Sequence, residues 1–133
     1  MAKPRVLLVE DELLIAAAMQ ESLEDLGYEV VGPYKRVRDA LRAAQEEAID
    51  GAVLDVNLRD ELVFPVAEAL ERRGVPFVFC TGYAEMSVIP EHFRDRPSFG
   101  KPCSPKAVAA KLAERLAARA SEAAGGRETD LGL

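Results

Sequence analysis

The sequence predicts a three-layer α/β domain, with a five-stranded parallel sheet covered by helices on both faces and five helices in all. Short apolar runs alternate with longer amphipathic segments along the 133 residues, the pattern of repeated βα units. The runs are apolar throughout instead of alternating in polarity, as strands buried on both faces must be. The length fits one domain and leaves no room for two ordinary ones.

Each element follows in turn. Val6-Leu7-Leu8-Val9 is a four-residue apolar run bounded by charge, the first strand. From Glu12 the period becomes helical, with Ile15, Met19, Leu23 and Leu26 on one face until Gly27 stops the helix. Glu29-Val30-Val31-Gly32 is the second strand, ended by Gly32-Pro33, and Val37, Leu41, Ala44 and Ala48 mark the second helix. Ala52-Val53-Leu54 is the third strand and stops at Asp55. Val63, Val66, Ala67 and Leu70 give the third helix, which runs out at Gly74. Val75 to Cys80 is the fourth strand, with Pro76 at its start, where a missing N–H is tolerated. Residues 84–97 contain Pro90 and few apolar positions, so a short or mobile helix is expected there. Ser98 and Phe99 form a brief fifth strand. Ser104-Pro105 is a helix start, and Val108, Leu112 and Leu116 carry the last helix to about Ala120. Ser121 to Leu133 is small and polar with Gly125-Gly126, so the domain is assigned to 1–120 and a flexible tail to 121–133.

Composition narrows the function. Seventeen basic against 23 acidic side chains give a net charge of −6, a poor field for binding nucleic acid or an anionic membrane. No apolar run approaches the roughly 18 residues of a membrane span. The first residues lead straight into a strand with no export signal, so a cytoplasmic location is expected. Cys80 and Cys103 form no CxxC pair and have no His at ligand spacing, so they read as a buried strand thiol and a loop thiol, not a disulfide. The single histidine, His92, reads as a surface residue.

In a parallel sheet of this kind the working site lies at the carboxyl ends of the strands. Those ends carry Glu10-Asp11-Glu12, Asp55 with Asn57 two positions on, Thr81-Gly82 and Lys101. Taken singly, each has an ordinary explanation: acids before a helix, a turn aspartate, a strand threonine, an exposed lysine. Together they put several carboxylates, a hydroxyl and an ammonium around one hollow. Such a cluster repels itself unless a cation sits in it, and hard oxygen donors without His or Cys favour Mg²⁺ or a similar ion such as Mn²⁺. The natural chemistry is attack of Asp55 on phosphorus, with Lys101, Thr81 and nearby N–H groups on the phosphoryl oxygens.

With these residues in view, the sequence resembles the receiver domain of bacterial two-component response regulators over about residues 4–120. The matching pieces are Val6-Leu7-Leu8-Val9-Glu10-Asp11-Glu12, Leu54-Asp55-Val56-Asn57-Leu58, Thr81-Gly82 and Lys101-Pro102, with separations of 44, 26 and 20 between Asp11, Asp55, Thr81 and Lys101. The resemblance implies a flavodoxin-like fold of strand order 2-1-3-4-5 and a cis Lys101-Pro102 bond. It makes Asp55 the phosphoacceptor, Asp11 a direct Mg²⁺ ligand, Glu10 a contributor through water and the Asn57 carbonyl the remaining protein ligand. Thr81 and Lys101 contact the phosphoryl group, and the flanking Asn57, Gly82 and Tyr83 bind it or tune water access. Pro76-Phe77-Val78-Phe79-Cys80-Thr81-Gly82-Tyr83 further resembles the stand-alone FAT GUY receivers, with Cys80 in place of their Ala.

The implied function is acceptance of a phosphoryl group from a sensor histidine kinase (of the HWE or a related type) or a histidine phosphotransfer protein. Output would pass to a downstream protein partner, with no separate enzymatic activity. One departure stands out. Most receivers carry an aromatic residue three positions before the lysine; here that position is Ser98, and Phe99 is one residue later, hence on the opposite face of the strand. The segment 84–97 is then the candidate for the conformational response. A phosphorylation-independent interaction module is the alternative. A flavin binder fits poorly because the first loop is acidic. An Asp-nucleophile phosphatase fits poorly because Val56-Asn57 lacks a second acid/base carboxylate.

Overall fold

The computed structural model describes residues 3–131, with side chains described for all of these except 83–85 and 122–131. In chain order the elements are β1 (Arg5–Val9), α1 (Leu13–Asp25), β2 (Glu29–Tyr34), α2 (Val37–Glu46), β3 (Gly51–Asp55), β4 (Asn57–Leu58) and β5 (Glu61–Leu62). They continue with α3 (Phe64–Arg72), β6 (Phe77–Thr81), β7 (Ser98–Gly100) and α4 (Pro105–Leu131). Five parallel strands form one sheet in the order β2-β1-β3-β6-β7, the expected doubly wound topology, while β4 and β5 make a separate small hairpin.

The continuous apolar runs have a direct structural use. Successive strand residues point to opposite faces, so each run feeds two cores. Leu7, Val9, Leu54, Phe77 and Phe79 pack under α2 and α3. Val6, Leu8, Val53 and Val78 pack under α1 and α4, against Met19, Leu23, Val108 and Leu112.

Several boundaries differ from the sequence reading. β2 does not end at Gly32-Pro33 but bulges through it. The register steps from Leu7↔Val31 to Val9↔Tyr34, leaving Gly32 and Pro33 opposite Leu8. Gly32 has φ +110°, and a Cβ there would lie 2.7 Å from the Leu8 carbonyl oxygen, so only glycine fits. Beyond the bulge the Glu10 N–H donates to the Tyr34 carbonyl at 3.0 Å, which fixes the residue that opens the acidic loop. Both Gly32-Pro33 and Lys101-Pro102 are cis, the second as the family resemblance implied.

Leu26 is half exposed and Ala48 exposed, because both fall past the ends of their helices; Ala16, Ala40 and Ala43 fill the buried faces instead. Among the described residues there are four α-helices, not five. Residues 83–93 carry two 3-10 segments, Tyr83–Val88 and Glu91–Phe93, separated by Pro90, which breaks the repeat of backbone donors. Helix α4 runs past Ala120 to Leu131, through a stretch rich in the good helix formers Ala, Arg and Glu.

The cysteines overturn the reading of two thiols. Cys80 and Cys103 form a disulfide, with Cα atoms 6.5 Å apart. β6 and β7 pair with Cys80 opposite Phe99, and the Lys101-Pro102 turn brings the chain back over Cys80. Sequence separation alone carries no hint of that register. Closing a loop between residues 23 apart is expected to stabilise the fold by about 3 kcal/mol. Denatured, unreduced protein should therefore show no free thiol, and Cys103→Ser should lower the urea midpoint accordingly. Two titratable thiols in the unreduced sample would contradict the cross-link.

Candidate functional site

The register of the sheet brings the predicted residues to one edge. Val9 pairs with Leu54, Asp55 with Cys80, and Thr81 with Gly100. Glu10, Asp55, Thr81 and Lys101 consequently emerge at nearly one level from β1, β3, β6 and β7. Glu10, Asp55 and Thr81 are buried, at 4%, 2% and 0% exposure. Polar side chains buried this deeply need partners.

Lys101 supplies the central one. Its Nζ lies 3.1 Å from Asp55 Oδ2, 3.6 Å from Glu10 Oε2 and 3.7 Å from Glu12 Oε1. Its backbone N–H donates to the Thr81 carbonyl at 2.7 Å, which pins the lysine to the end of β6. Backbone amides complete the cage: the Glu12 N–H donates to Glu10 Oε2 and the Asn57 N–H to Asp55 Oδ1, each at 3.3 Å. The Thr81 hydroxyl donates to the Gly82 carbonyl at 3.2 Å.

One ligand oxygen from each of Glu10, Asp11 and Asp55 lies within 4.8 Å of the others. Burial pushes the Glu10 carboxyl up to about 8, and the Asp55 carboxylate adds to the rise. Burial also raises Asp55, against its hydrogen bonds to Glu10 and Lys101. Burial alone would lower the Lys101 ammonium, but Asp55, Glu10 and Glu12 outweigh it and hold the charge above its usual range. The pair of buried carboxylates is therefore under-compensated by one lysine, the condition in which a hard divalent cation fits a set of oxygen donors. A hollow of about 320 Å³ opens over this cluster, bordered by Asp11, Asp55, Asn57, Gly82 and Lys101. A larger one of about 680 Å³ lies beside Lys3, Tyr28 and Ala117, at the amino-terminal edge of the sheet and far from these groups.

Fold and site together define an α/β domain with an acidic pocket and a lysine at the carboxyl edge of its sheet. The chain belongs to the response regulator receiver domain family, whose pattern matches residues 6–111. It is 33% identical over 116 residues to the phyllosphere-induced regulator PhyR of Methylorubrum extorquens, covering 84% of this chain and 43% of PhyR. It thus spans under half of that relative's length. Among solved structures it resembles SdrG from Sphingomonas melonis Fr1, at 42% identity and a TM-score of 0.74, over 87% of this chain and 98% of that one. Against a BeF3-activated conformation of SdrG the TM-score is 0.66, at 42% identity over 87% of this chain and 99% of that one.

The predicted site residues Glu10, Asp11, Asp55, Asn57, Gly82 and Lys101 lie together; Thr81 adjoins them at the end of β6, with its hydroxyl bonded to the Gly82 carbonyl. The side chain of Tyr83 lies outside the described residues. Ser98 is exposed, and Phe99 is packed into the α1/α4 core, on the face expected from the one-residue offset. His92 is exposed at the surface, as expected, where its Nε2 meets Glu68 Oε1 at 2.8 Å and its ring lies on Phe93.

Sequence reasoning missed Arg59. The residue pair Arg59-Asp60 turns the β4–β5 hairpin with φ of 48° and 70°, a two-residue turn usually built from Asn and Gly. Without that signature the hairpin was invisible, and so was the contact of the Arg59 Nε with Asp11 Oδ2 at 3.7 Å.

Among the described residues no helix is long and apolar enough to cross a membrane.

Proposed function

We propose that this chain is a phosphoacceptor that takes a phosphoryl group onto Asp55 from a phosphohistidine of a sensor kinase or phosphotransfer protein. The observation that carries this reading is the juxtaposition of the Glu10, Asp11 and Asp55 carboxylates with Lys101 Nζ 3.1 Å from Asp55 Oδ2. In the transfer, a carboxylate oxygen of Asp55 forms a bond to phosphorus as the phosphorus–nitrogen bond to the donor imidazole breaks. The imidazole leaves with the electron pair, and the product is an acyl phosphate. Lys101 follows the charge from the carboxylate onto the phosphoryl oxygens, and Thr81 rotates from Gly82 to donate to another of them. Glu10, Asp11, Asp55 and the Asn57 carbonyl are the groups that would hold Mg²⁺ or Mn²⁺, which supplies positive charge for the phosphoryl oxygens. Hydrolysis later returns Asp55, and Asn57, Gly82 and Tyr83 are the residues that tune that step. Residues 1–120 form the receiver, and the run Pro76 to Tyr83 supports a place for it in the FAT GUY group. Signalling runs through protein contacts in the cytoplasm, without nucleic acid or membrane.

The test is incubation of the purified protein with acetyl phosphate and Mg²⁺, read by intact mass. The wild type should gain one phosphoryl group, and Asp55→Asn should gain none, a loss of essentially all modification. A wild type left unmodified by both acetyl phosphate and phosphorylated kinase domains would favour a phosphorylation-independent interaction module.

A further inference from the structure

Two cations reach the acidic cluster among the described residues. Lys101 is mostly buried and ion-paired with three carboxylates, whereas Arg59 approaches from outside, with its side chain 84% exposed and its guanidinium against Asp11, whose side chain is only 13% exposed. Arg59 borders the hollow over Asp55, and together with Asp11 it also borders a neighbouring hollow of about 280 Å³ that contains Lys35, Arg36 and Glu61. The Arg59–Asp11 pair is the partition between the two.

We propose that Arg59 is a movable counter-ion of the site, competing with the divalent cation for Asp11 and then favouring the anion that binds beside Asp55. The inference rests on the phosphoacceptor reading above. Its physical basis is charge alone. Asp11 cannot give its full negative charge to a divalent ion while a guanidinium sits on it, so the pair must open as the ion enters. The opened arginine remains tethered to the hairpin turn. The Asp60 N–H donates to Asn57 Oδ1 at 3.2 Å and holds that turn over the hollow. There a phosphoryl group or its mimic adds the negative charge that Arg59 has lost. The same side chain therefore opposes the metal and supports the anion. Lys101 cannot play this part, since its bonds to Asp55 and Glu10 hold it inside the cluster.

The opposed signs separate this role from a merely structural one. Asn is uncharged and tolerates the left-handed backbone at position 59, so Arg59→Asn removes the charge and keeps the turn. Titration calorimetry with Mg²⁺ should show two- to fivefold tighter binding in Arg59→Asn, about what an exposed pair contributes. At saturating Mg²⁺ the variant should hold beryllofluoride two- to fivefold more weakly. Arg59→Lys should stay near the wild type in both, and the difference from wild type should shrink at high salt. If the side chain only braced the hairpin, its loss would disturb the Asn57 carbonyl and weaken Mg²⁺ binding instead. Mg²⁺ affinity unchanged or weakened in Arg59→Asn overturns the role of Arg59 alone. A wild type that takes up no Mg²⁺ overturns the phosphoacceptor reading, and this assignment with it.

Discussion

Metal-free protein is expected to lose stability as the pH rises from about 4.5 to about 8, and Mg²⁺ is expected to reverse the loss. The ordinary value of the Glu10 carboxyl is 4.5, and in the fold burial beside Asp55 pushes it up to about 8. Between these values the folded state keeps a proton that the unfolded chain has released. Folding is thus favoured by this group below 4.5, and that contribution drains away as the pH climbs and is gone above about 8. Asp55 adds to the loss in the same direction, because its carboxyl is raised by the same burial.

Divalent binding carries the opposite slope. The ion needs the ionised carboxylates, so its affinity should rise through the same window and level off above about 8, with a proton released on binding below that point. At a hundredfold excess over Kd the ion stabilises by about 2.7 kcal/mol, roughly 10 °C for a domain of this size. Thermal melts with and without Mg²⁺ at pH 6, 7 and 8.5 give the comparison. The gap between the two curves should widen with pH in the wild type. It should widen much less in Glu10→Gln, which carries no titrating proton at that position. A gap that is independent of pH in the wild type would mean that Glu10 is already ionised at neutral pH.

The difference between what the sequence disclosed and what it hid follows from the range of the interactions. The parallel sheet was legible because Val6 to Val9, Ala52 to Leu54 and Phe77 to Cys80 are each buried on both faces, a demand written in consecutive residues. Glu10, Asp11, Asp55 and Lys101 were legible as a set once those runs were taken as strands, because parallel strands must end on one edge. What escaped notice depends on registers that no local pattern carries. The Cys80–Cys103 bond follows from β6–β7 pairing and the turn at Pro102. The bulge at Gly32-Pro33 reads locally as a strand terminator, yet the sheet continues through it because only glycine permits the approach to Leu8. Arg59 was hidden for the same reason, its partner being 48 positions away in the sequence.

Residues 84–97 show the limit of the apolar pattern most clearly, and they yield the largest single-residue effect. With few apolar positions the stretch reads as weakly held, yet Ile89 and Phe93 are 4% and 0% exposed. The Phe93 ring lies 5.6 Å from Phe77, 6.1 Å from Phe79 and 6.4 Å from Phe64, joining the 3-10 segment to both β6 and α3. Arg96 closes the cluster from outside, with its guanidinium 5.9 Å from the Phe93 ring centre and bonded to both carboxylate oxygens of Glu71. Phe93→Ala is therefore expected to cost about 3–5 kcal/mol in chemical unfolding, a large part of the 5–15 kcal/mol that holds a domain together. Phe93→Leu, which keeps most of the volume, should cost well under that. The functional consequence is separable from the stability loss. Asp55 ends β3 and Lys101 follows β7, whereas Phe93 belongs to the apolar cluster under α2 and α3, so at a temperature where the variant is folded it should still accept the phosphoryl group. Amide exchange over 84–97 should meanwhile be fast in Phe93→Ala, with or without beryllofluoride. In the wild type, exchange in that segment should be slow and should change when the anion binds. Ser98 stands at the usual aromatic position and Phe99 packs into the opposite core, so the expected place for a response to Asp55 is this ring-held segment. Wild-type protection at 84–97 that beryllofluoride leaves unchanged would remove that role, whatever the cost of losing the ring.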